Sequence, residues 1–272
     1  MRDRSRPLQS RRVSDQGQII IPDFLQLGGK TLLVTGASSG IGRAVAIEAS
    51  KYGAQVALVA RNEFQLDETR ALMVGDGHIK LSFDLSQLDG IAETVRTVSK
   101  ELGGLDGVVH AAGRHKTAPL RNIVTSDYHE LFDLNVGSAV MLAKAFRHKQ
   151  VRRHNGSLVL LSSAVGVVGQ SAVSLYSASK GAILALTKSL ALELARDGIR
   201  VNCVSPGVVR TAMTRSLEEA IGSKSFEEVT AAHPLGLGMP EDVAAAVLYL
   251  LSPASKWVTG SSLAVDGGYT AQ

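Results

Sequence analysis

The 272-residue chain has a single cysteine, Cys203, so an internal disulfide is impossible and a reducing, cytosolic setting is the natural expectation. It also lacks any apolar run approaching the ~18–20 residues that cross a bilayer, so no membrane attachment is expected. The opening "MRDRSRPLQSRR" carries no hydrophobic stretch behind its charges and does not read as a secretory signal. A basic body is missing as well. The formal net charge is +4, but the first twelve residues hold five arginines and one aspartate, which leaves 24 basic and 24 acidic residues in the remainder. The pI of about 9.2 thus belongs to the tail. A nucleic-acid-binding face would place its basic patch in the folded part, so nucleic acid is not an expected partner. A basic arm touching a polyanion is the alternative.

What is present has the rhythm of an α/β protein. A hydrophobic content of 45% and a charged content of 20% are those of an ordinary globule. After a lead-in that ends on Gly28-Gly29, seven short runs punctuate the chain: "TLLVTG" (31–36), "QVALVA" (55–60), "HIKLSFDL" (78–85), "LDGVVHAAG" (105–113), "SLVLLSS" (157–163), "RVNCVSPG" (200–207) and "SLAVDGG" (262–268). Several are apolar on both faces, as strands between two helix layers must be. Helix-length segments separate them. The pattern predicts one doubly wound parallel sheet of about seven strands with helices on both faces, over 28–272, preceded by a basic extension over 1–27.

The first strand runs into "TGASSGIGRAVA", with Gly36, Gly40 and Gly42 ahead of a helical stretch. A turn of this kind brings a dinucleotide pyrophosphate against bare backbone and the free N–H groups of a helix N-terminus. Farther on, "SLYSASKGA" sets Tyr176 and Lys180 four residues apart, one above the other on a helix face. A free phenol has a pKa of about 10; a nearby ammonium stabilises the phenolate and readies the group for proton transfer.

With "TGASSGIG" near its start and "YSASK" beyond its middle, the sequence resembles the short-chain dehydrogenase/reductase family over residues 28–270. "LNVGS" (134–138), "LLSSAVGVVG" (160–169), "SPGVVRT" (205–211) and "VTGSSLAVDGGY" (258–269) match as well. The resemblance implies a catalytic tetrad. Tyr176 is the proton donor, Ser163 anchors the substrate carbonyl, Lys180 tunes the phenol and bonds the nicotinamide ribose, and Asn135 holds a water. It implies cofactor contacts from Gly36, Ser38, Ser39, Gly40, Ile41 and Gly42 in the glycine turn. Asp84 and Leu85 would border adenine, and Ala111, Ala112 and Gly113 would lie after the fourth strand. Pro206, Gly207, Val209 and Thr211 would surround the nicotinamide. No metal is implied. Relatives carry Asn-Asn-Ala-Gly where this chain has His110-Ala111-Ala112-Gly113, so the usual amide hydrogen bonds are in question, and His110 itself reads as a packed histidine.

Cofactor choice is set where the second strand ends. An acidic residue there binds the ribose 2′-hydroxyl, and arginine welcomes a 2′-phosphate. Here Ala60 precedes Arg61, with no carboxylate before Glu63, and Arg43 follows the last loop glycine; NADP(H), with NADPH preferred over NADH, is expected. The segment 212–238 reads as a substrate lid, on which Met213, Leu217, Ile221 and Phe226 either face an apolar substrate or pack. "GAILALTKSLALELA" (181–195) and "LFDLNVGSAVMLAKAF" (131–146) are apolar around much of their circumference, which predicts a homotetramer or homodimer. Within the family the chain is most similar to 3-oxoacyl-[acyl-carrier-protein] reductases, and the cluster of Lys149, Arg152 and Arg153 is a solvated face or a contact for an acidic carrier. Reduction of a sugar, polyol or small ketone is the alternative, and a non-catalytic NADP(H) sensor is the alternative of another class. A sugar epimerase is disfavoured by the glycine spacing, and an enoyl reductase by only three residues between Tyr176 and Lys180.

Overall fold

The computed structural model describes residues 24–271 together with a two-residue antiparallel ladder pairing Arg12–Val13 with Ile19–Ile20. The rest of the basic extension lies outside the described residues. Seven strands form one parallel sheet: β1 Thr31–Thr35, β2 Gln55–Ala60, β3 Ile79–Ser82, β4 Leu105–His110, β5 Arg152–Leu161, β6 Ile199–Pro206 and β7 Ser262–Val265, in the order β3-β2-β1-β4-β5-β6-β7. The order reverses between β1 and β4, and ligands of open α/β sheets bind in the crevice at the carboxyl ends of strands on either side of such a point.

Strands β1 and β2 are almost wholly buried because helices cover both faces. On one side, α1 Gly40–Lys51 and α9 Pro240–Leu251 pack through Val45, Ala46, Val247 and Leu248. On the other, α3 Ile91–Leu102, α5 Ser138–Phe146 and α6 Ser174–Ala195 present Val95, Leu142, Phe146 and Ile183. Two more helices complete the layers, α2 Glu63–Ala71 against β2 and β3, and α4 Thr125–Phe132 against α6; α7 Ala212–Ile221 and α8 Ser223–Ala231 occupy the segment expected to be a lid. Between α4 and α5 the backbone widens into a π turn, Asp133–Gly137. Single π turns of this type recur at functional sites.

The fifth strand starts five residues earlier than the apolar run that marks it. Arg152 and Arg153, read from the sequence as a solvated face or a contact for an acidic carrier, fasten the amino-terminal end of the sheet. Arg152 donates to the carbonyls of His154 (3.0 Å) and Asp197 (2.5 Å), and Arg153 to those of Leu102, Gly103 and Gly29. Their guanidinium groups are spent on backbone carbonyls at the edge opposite the glycine turn. The reason is local: loop carbonyls there have no ladder partner, and a fork of N–H donors satisfies several at once.

Candidate active site

The glycine turn is shaped by contacts that tolerate no side chain. A Cβ on Gly36, whose φ is +66°, would lie 2.7 Å from the Ala112 nitrogen; one on Gly42 would lie 2.3 Å from the Gly36 carbonyl oxygen. Gly40 opens α1 beneath Thr211, so the turn after β1 faces the turn after β6. Ser39, the residue ahead of α1, makes no side-chain cap, and no acid occupies the first helical turn. That leaves the positive end of α1 free to meet an anion.

The four side chains expected to act together gather beside this turn. Lys180 is buried, and its Nζ donates to the Leu161 carbonyl (2.8 Å), while Ser162 Oγ donates to the Lys180 carbonyl (2.8 Å). The end of β5 therefore grips α6 from both directions. Ser163, leaving β5 as the next residue, donates weakly to the Pro206 carbonyl (3.5 Å) and lies within hydrogen-bonding reach of the Tyr176 phenol. Asn135 sits in the π turn. Its Oδ1 accepts from the Arg114 backbone N–H (2.8 Å), and its Nδ2 donates to the Arg114 carbonyl (3.0 Å) and to Ser179 Oγ (3.0 Å). Gly113 fits between Asn135 and Lys180: a Cβ there would be 3.2 Å from Asn135 Oδ1 and 3.6 Å from Lys180 Nζ.

The electrostatics differ from the simple helix-turn picture. Burial pushes the Tyr176 phenol up to about 12, and the hydrogen bond from Ser163 pulls against it. Burial also brings Lys180 down to about 8. The ammonium lies 5.6 Å from the centroid of the phenol ring and spends a donor on Leu161. The i, i+4 spacing sets the two side chains on one face of α6, but loss of solvent dominates both groups.

His110 is packed, as its sequence context suggested, and its hydrogen bonds have one consistent direction. Ser138 donates its hydroxyl hydrogen to the Leu134 carbonyl, so its oxygen accepts from Nε2–H of His110, 2.9 Å away. Nδ1 is then bare and accepts from the Thr35 hydroxyl (3.0 Å), which in turn accepts from the Ala112 N–H (3.2 Å). One neutral imidazole thus ties the end of β1, ahead of the glycine turn, to the π turn that carries Asn135. Burial is the main cause that brings His110 down to about 3, with the Lys180 charge acting the same way.

The turn after β6 is equally determined. A Cβ on Gly207 would approach the Asp266 Cα and His233 Nε2 to 2.9 Å. His233, buried at the end of α8, accepts from the Val208 N–H (3.1 Å) and donates through Nδ1 to the Val229 carbonyl (2.8 Å), so it couples the segment 212–238 to this turn. The Val209 carbonyl accepts from the Thr214 hydroxyl, while Thr211 caps α7. Of the four apolar residues noted in that segment, Met213 is exposed, and Leu217, Ile221 and Phe226 are half-buried.

At the second strand's end, Ala60 is buried and Arg61 exposed, its guanidinium 3.9 Å from Asp84. Burial alone would raise the Asp84 carboxyl; hydrogen bonds from the Ser86 backbone and hydroxyl, with Arg61, bring it below the usual range. Leu85 is buried beside it. Glu63 turns away to Lys80 (3.1 Å). Arg43 donates to the Ser38 carbonyl (2.6 Å) and to Glu68 (3.0 Å), and its buried Nε has no partner. An orphaned guanidinium N–H at the rim of a glycine cradle fits a dinucleotide carrying an additional phosphate. Glu68 was invisible to sequence reasoning, because its approach to Arg43 depends on how α2 docks. His115 was missed too: its ring meets Tyr176 edge to face, with centroids 4.6 Å apart.

Among known proteins, a family model described as enoyl-(acyl carrier protein) reductase matches residues 36–270. The chain is 32% identical to gluconate 5-dehydrogenase of Gluconobacter oxydans over 92% of its own length and 98% of that protein. It is 37% identical to 3-oxoacyl-[acyl-carrier-protein] reductase of Bos taurus, over 88% and 97% of the two chains. A crystal structure from Agrobacterium tumefaciens, assigned as a 2-deoxy-D-gluconate 3-dehydrogenase with bound NADP, superposes with a TM-score of 0.83 at 31% identity and covers 92% of this chain and 100% of its own.

Proposed function

The chain belongs to the short-chain dehydrogenase/reductase family, oxidoreductases acting on CH–OH groups, and from that premise we propose that it interconverts a carbonyl and a secondary alcohol with NADP(H). One observation carries the reading: a phenol, a hydroxyl, an ammonium and an amide converge beside a glycine turn at the carboxyl edge of the sheet. Bound NADPH would supply the hydride. Tyr176, held near 12 by burial, is protonated at neutral pH and donates to the alkoxide oxygen. Ser163 orients the carbonyl. Lys180 bonds the ribose and offsets negative charge on the phenol as its proton leaves, and Asn135 holds the segment after Gly113 in place.

Gly36, Ser38, Ser39, Gly40, Ile41 and Gly42 would cradle the pyrophosphate, Arg43 and Arg61 the 2′-phosphate, and Asp84 and Leu85 the adenine. Ala111, Ala112 and Gly113 would line the ribose side, with Pro206, Gly207, Val209 and Thr211 about the nicotinamide. The preference for NADPH rests on the unpartnered Arg43 Nε and the exposed Arg61.

Reduction of a 3-oxoacyl thioester is the leading substrate reading, supported by likeness to reductases such as the bovine one. A hydroxylated ketone of the sugar or polyol type is the second. It is favoured by the polar side chains Arg114, Lys116, Asp127 and Glu130, which line a cavity next to His115. We further propose a cytosolic homo-oligomer, a tetramer or dimer, in which a second copy covers the outer face of α6, where Leu192 is 82% exposed.

The test is a rate screen with NADPH and NADH over acetoacetyl thioesters, sugars and simple ketones, alongside Tyr176→Phe. The substitution should lower turnover by about 10²-fold or more and leave NADPH binding within about threefold. A wild-type protein that binds NADPH yet reduces no carbonyl would be a sensor instead. A tenfold preference for NADH would overturn the cofactor assignment.

A further inference from the structure

We infer that His115 is a specificity-determining residue that hydrogen-bonds an oxygen substituent of the substrate, carried within two carbons of the reacting carbonyl. The inference rests on the carbonyl-reducing reading above and names what that site selects.

His115 follows Gly113 and Arg114 on the segment leaving β4. Asn135 holds the backbone of Arg114 through both its carbonyl and its N–H, so His115 is presented at a fixed position rather than on a free loop. Its imidazole packs edge to face on the Tyr176 ring at 4.6 Å between centroids. Whatever carbonyl Tyr176 protonates must lie beside this ring. Neither ring nitrogen has a hydrogen-bond partner among the described residues. Burial, reinforced by the positive charge of Lys180, holds the imidazole below the ordinary histidine range, so at neutral pH it offers one N–H and one bare nitrogen.

The same residue borders a cavity of about 240 Å³, lined also by Arg114, Lys116, Asp127, Glu130 and Leu131. The two cations there are already paired, Arg114 with Glu130 and Lys116 with Asp127. That leaves the imidazole as the wall's unspent hydrogen-bonding group next to the phenol. An alkyl chain laid against it would bury the donor and the acceptor unsatisfied, and sites of that kind discriminate against the analogue that lacks the polar group. An ester or thioester carbonyl would take the N–H; a hydroxyl could use either nitrogen.

Two matched ketone pairs separate the alternatives. 1-Hydroxy-2-butanone differs from 3-pentanone by hydroxyl for methyl, and ethyl acetoacetate from 2-heptanone by its ester group. Intrinsic carbonyl reactivity cancels when the kcat/KM ratio within each pair is compared between wild type and variants. His115→Phe keeps a flat ring on Tyr176 and removes both nitrogens; His115→Gln keeps a donor and an acceptor. The ratio should fall at least tenfold in His115→Phe for one pair or both, with KM for the oxygenated partner rising. His115→Gln should recover part of it. Loss in the first pair points to a hydroxyl, loss in the second to an ester-like oxygen. NADPH fluorescence titration verifies that each variant is folded, and His115→Leu replaces His115→Phe if the latter does not bind. A ratio unchanged within twofold, or an equal fall in kcat for both members of each pair, would mean that His115 only supports Tyr176, and the inference fails. A wild type that reduces no carbonyl at all would instead overturn the parent reading, and this one with it.

Discussion

Replacing His110 by asparagine should flatten the acid sensitivity of the fold. In the folded chain the imidazole is buried, donates to Ser138 and accepts from Thr35, and titrates near 3; unfolded, it titrates near the ordinary value of about 6.5. Between those two values the unfolded chain binds more protons than the native protein, so stability rises with pH across the window and falls on acidification. Integrating the two titrations from pH 7 down to pH 5 gives a loss of about 2 kcal/mol from this group alone. For a chain of this length that corresponds to a Tm lower by about 4–8 °C. Other groups titrate in the same range, so the informative quantity is a difference. Thermal or urea unfolding of wild type and His110→Asn is followed at pH 7, 6 and 5, at one protein concentration so that association does not intrude. Asparagine retains a donor and an acceptor but has no charged form to exclude. The variant should lose about 2 kcal/mol less than wild type over the interval, whatever its stability at pH 7. If both proteins lose the same amount to within about 0.5 kcal/mol, His110 is not held neutral by its surroundings, and the assigned direction of its hydrogen bonds is wrong.

Other perturbations reach the cofactor and the surface. Lys180→Met keeps the buried stem and removes the ammonium, so kcat/KM with NADPH should fall by about 10²-fold or more; turnover within twofold of wild type would remove Lys180 from the mechanism. Arg43→Ala should raise KM for NADPH about tenfold relative to NADH, and an equal effect on both would show that Arg43 only braces Ser38 and Glu68. Leu192→Glu should shift the protein to a smaller species in sedimentation velocity, and a wild type already monomeric at micromolar concentration would refute the α6 interface.

Much of this architecture was legible from residue order because the signals were local. Seven β-branched runs and the glycines between them marked the strands, and every one of them is present. Boundaries moved where tertiary partners intervened. The third strand closes at Ser82 rather than Leu85, and the fifth begins at Arg152 because two arginines anchor backbone ahead of its apolar run. Spacing alone paired Tyr176 with Lys180, and the family resemblance added Asn135 and Ser163 to them. Their protonation was not legible in this way, since the loss of water around Tyr176 and Lys180 depends on β5, β6 and the segment after β4 closing over them. Glu68 and His115 escaped notice for the same reason: each acquires its neighbour only when distant segments dock. In the stretch 131–146, Leu131, Ala139, Leu142, Ala143 and Phe146 are buried within the single chain, while Val140 is exposed. The π turn inside it shifts the phase at which its apolar residues face inward.

That same widened turn has an evolutionary corollary. A segment with one residue too many for α spacing takes up the surplus in its wider turn: excising a position beyond Asn135 would restore i→i+4 bonding and leave Leu142 and Phe146 facing the interior, because the helix that follows keeps its phase. What the narrower turn would lose is the aim of the amide that grips Arg114. A change of length is thus absorbed by the fold and felt at the site, because here chain length itself sets where the amide points.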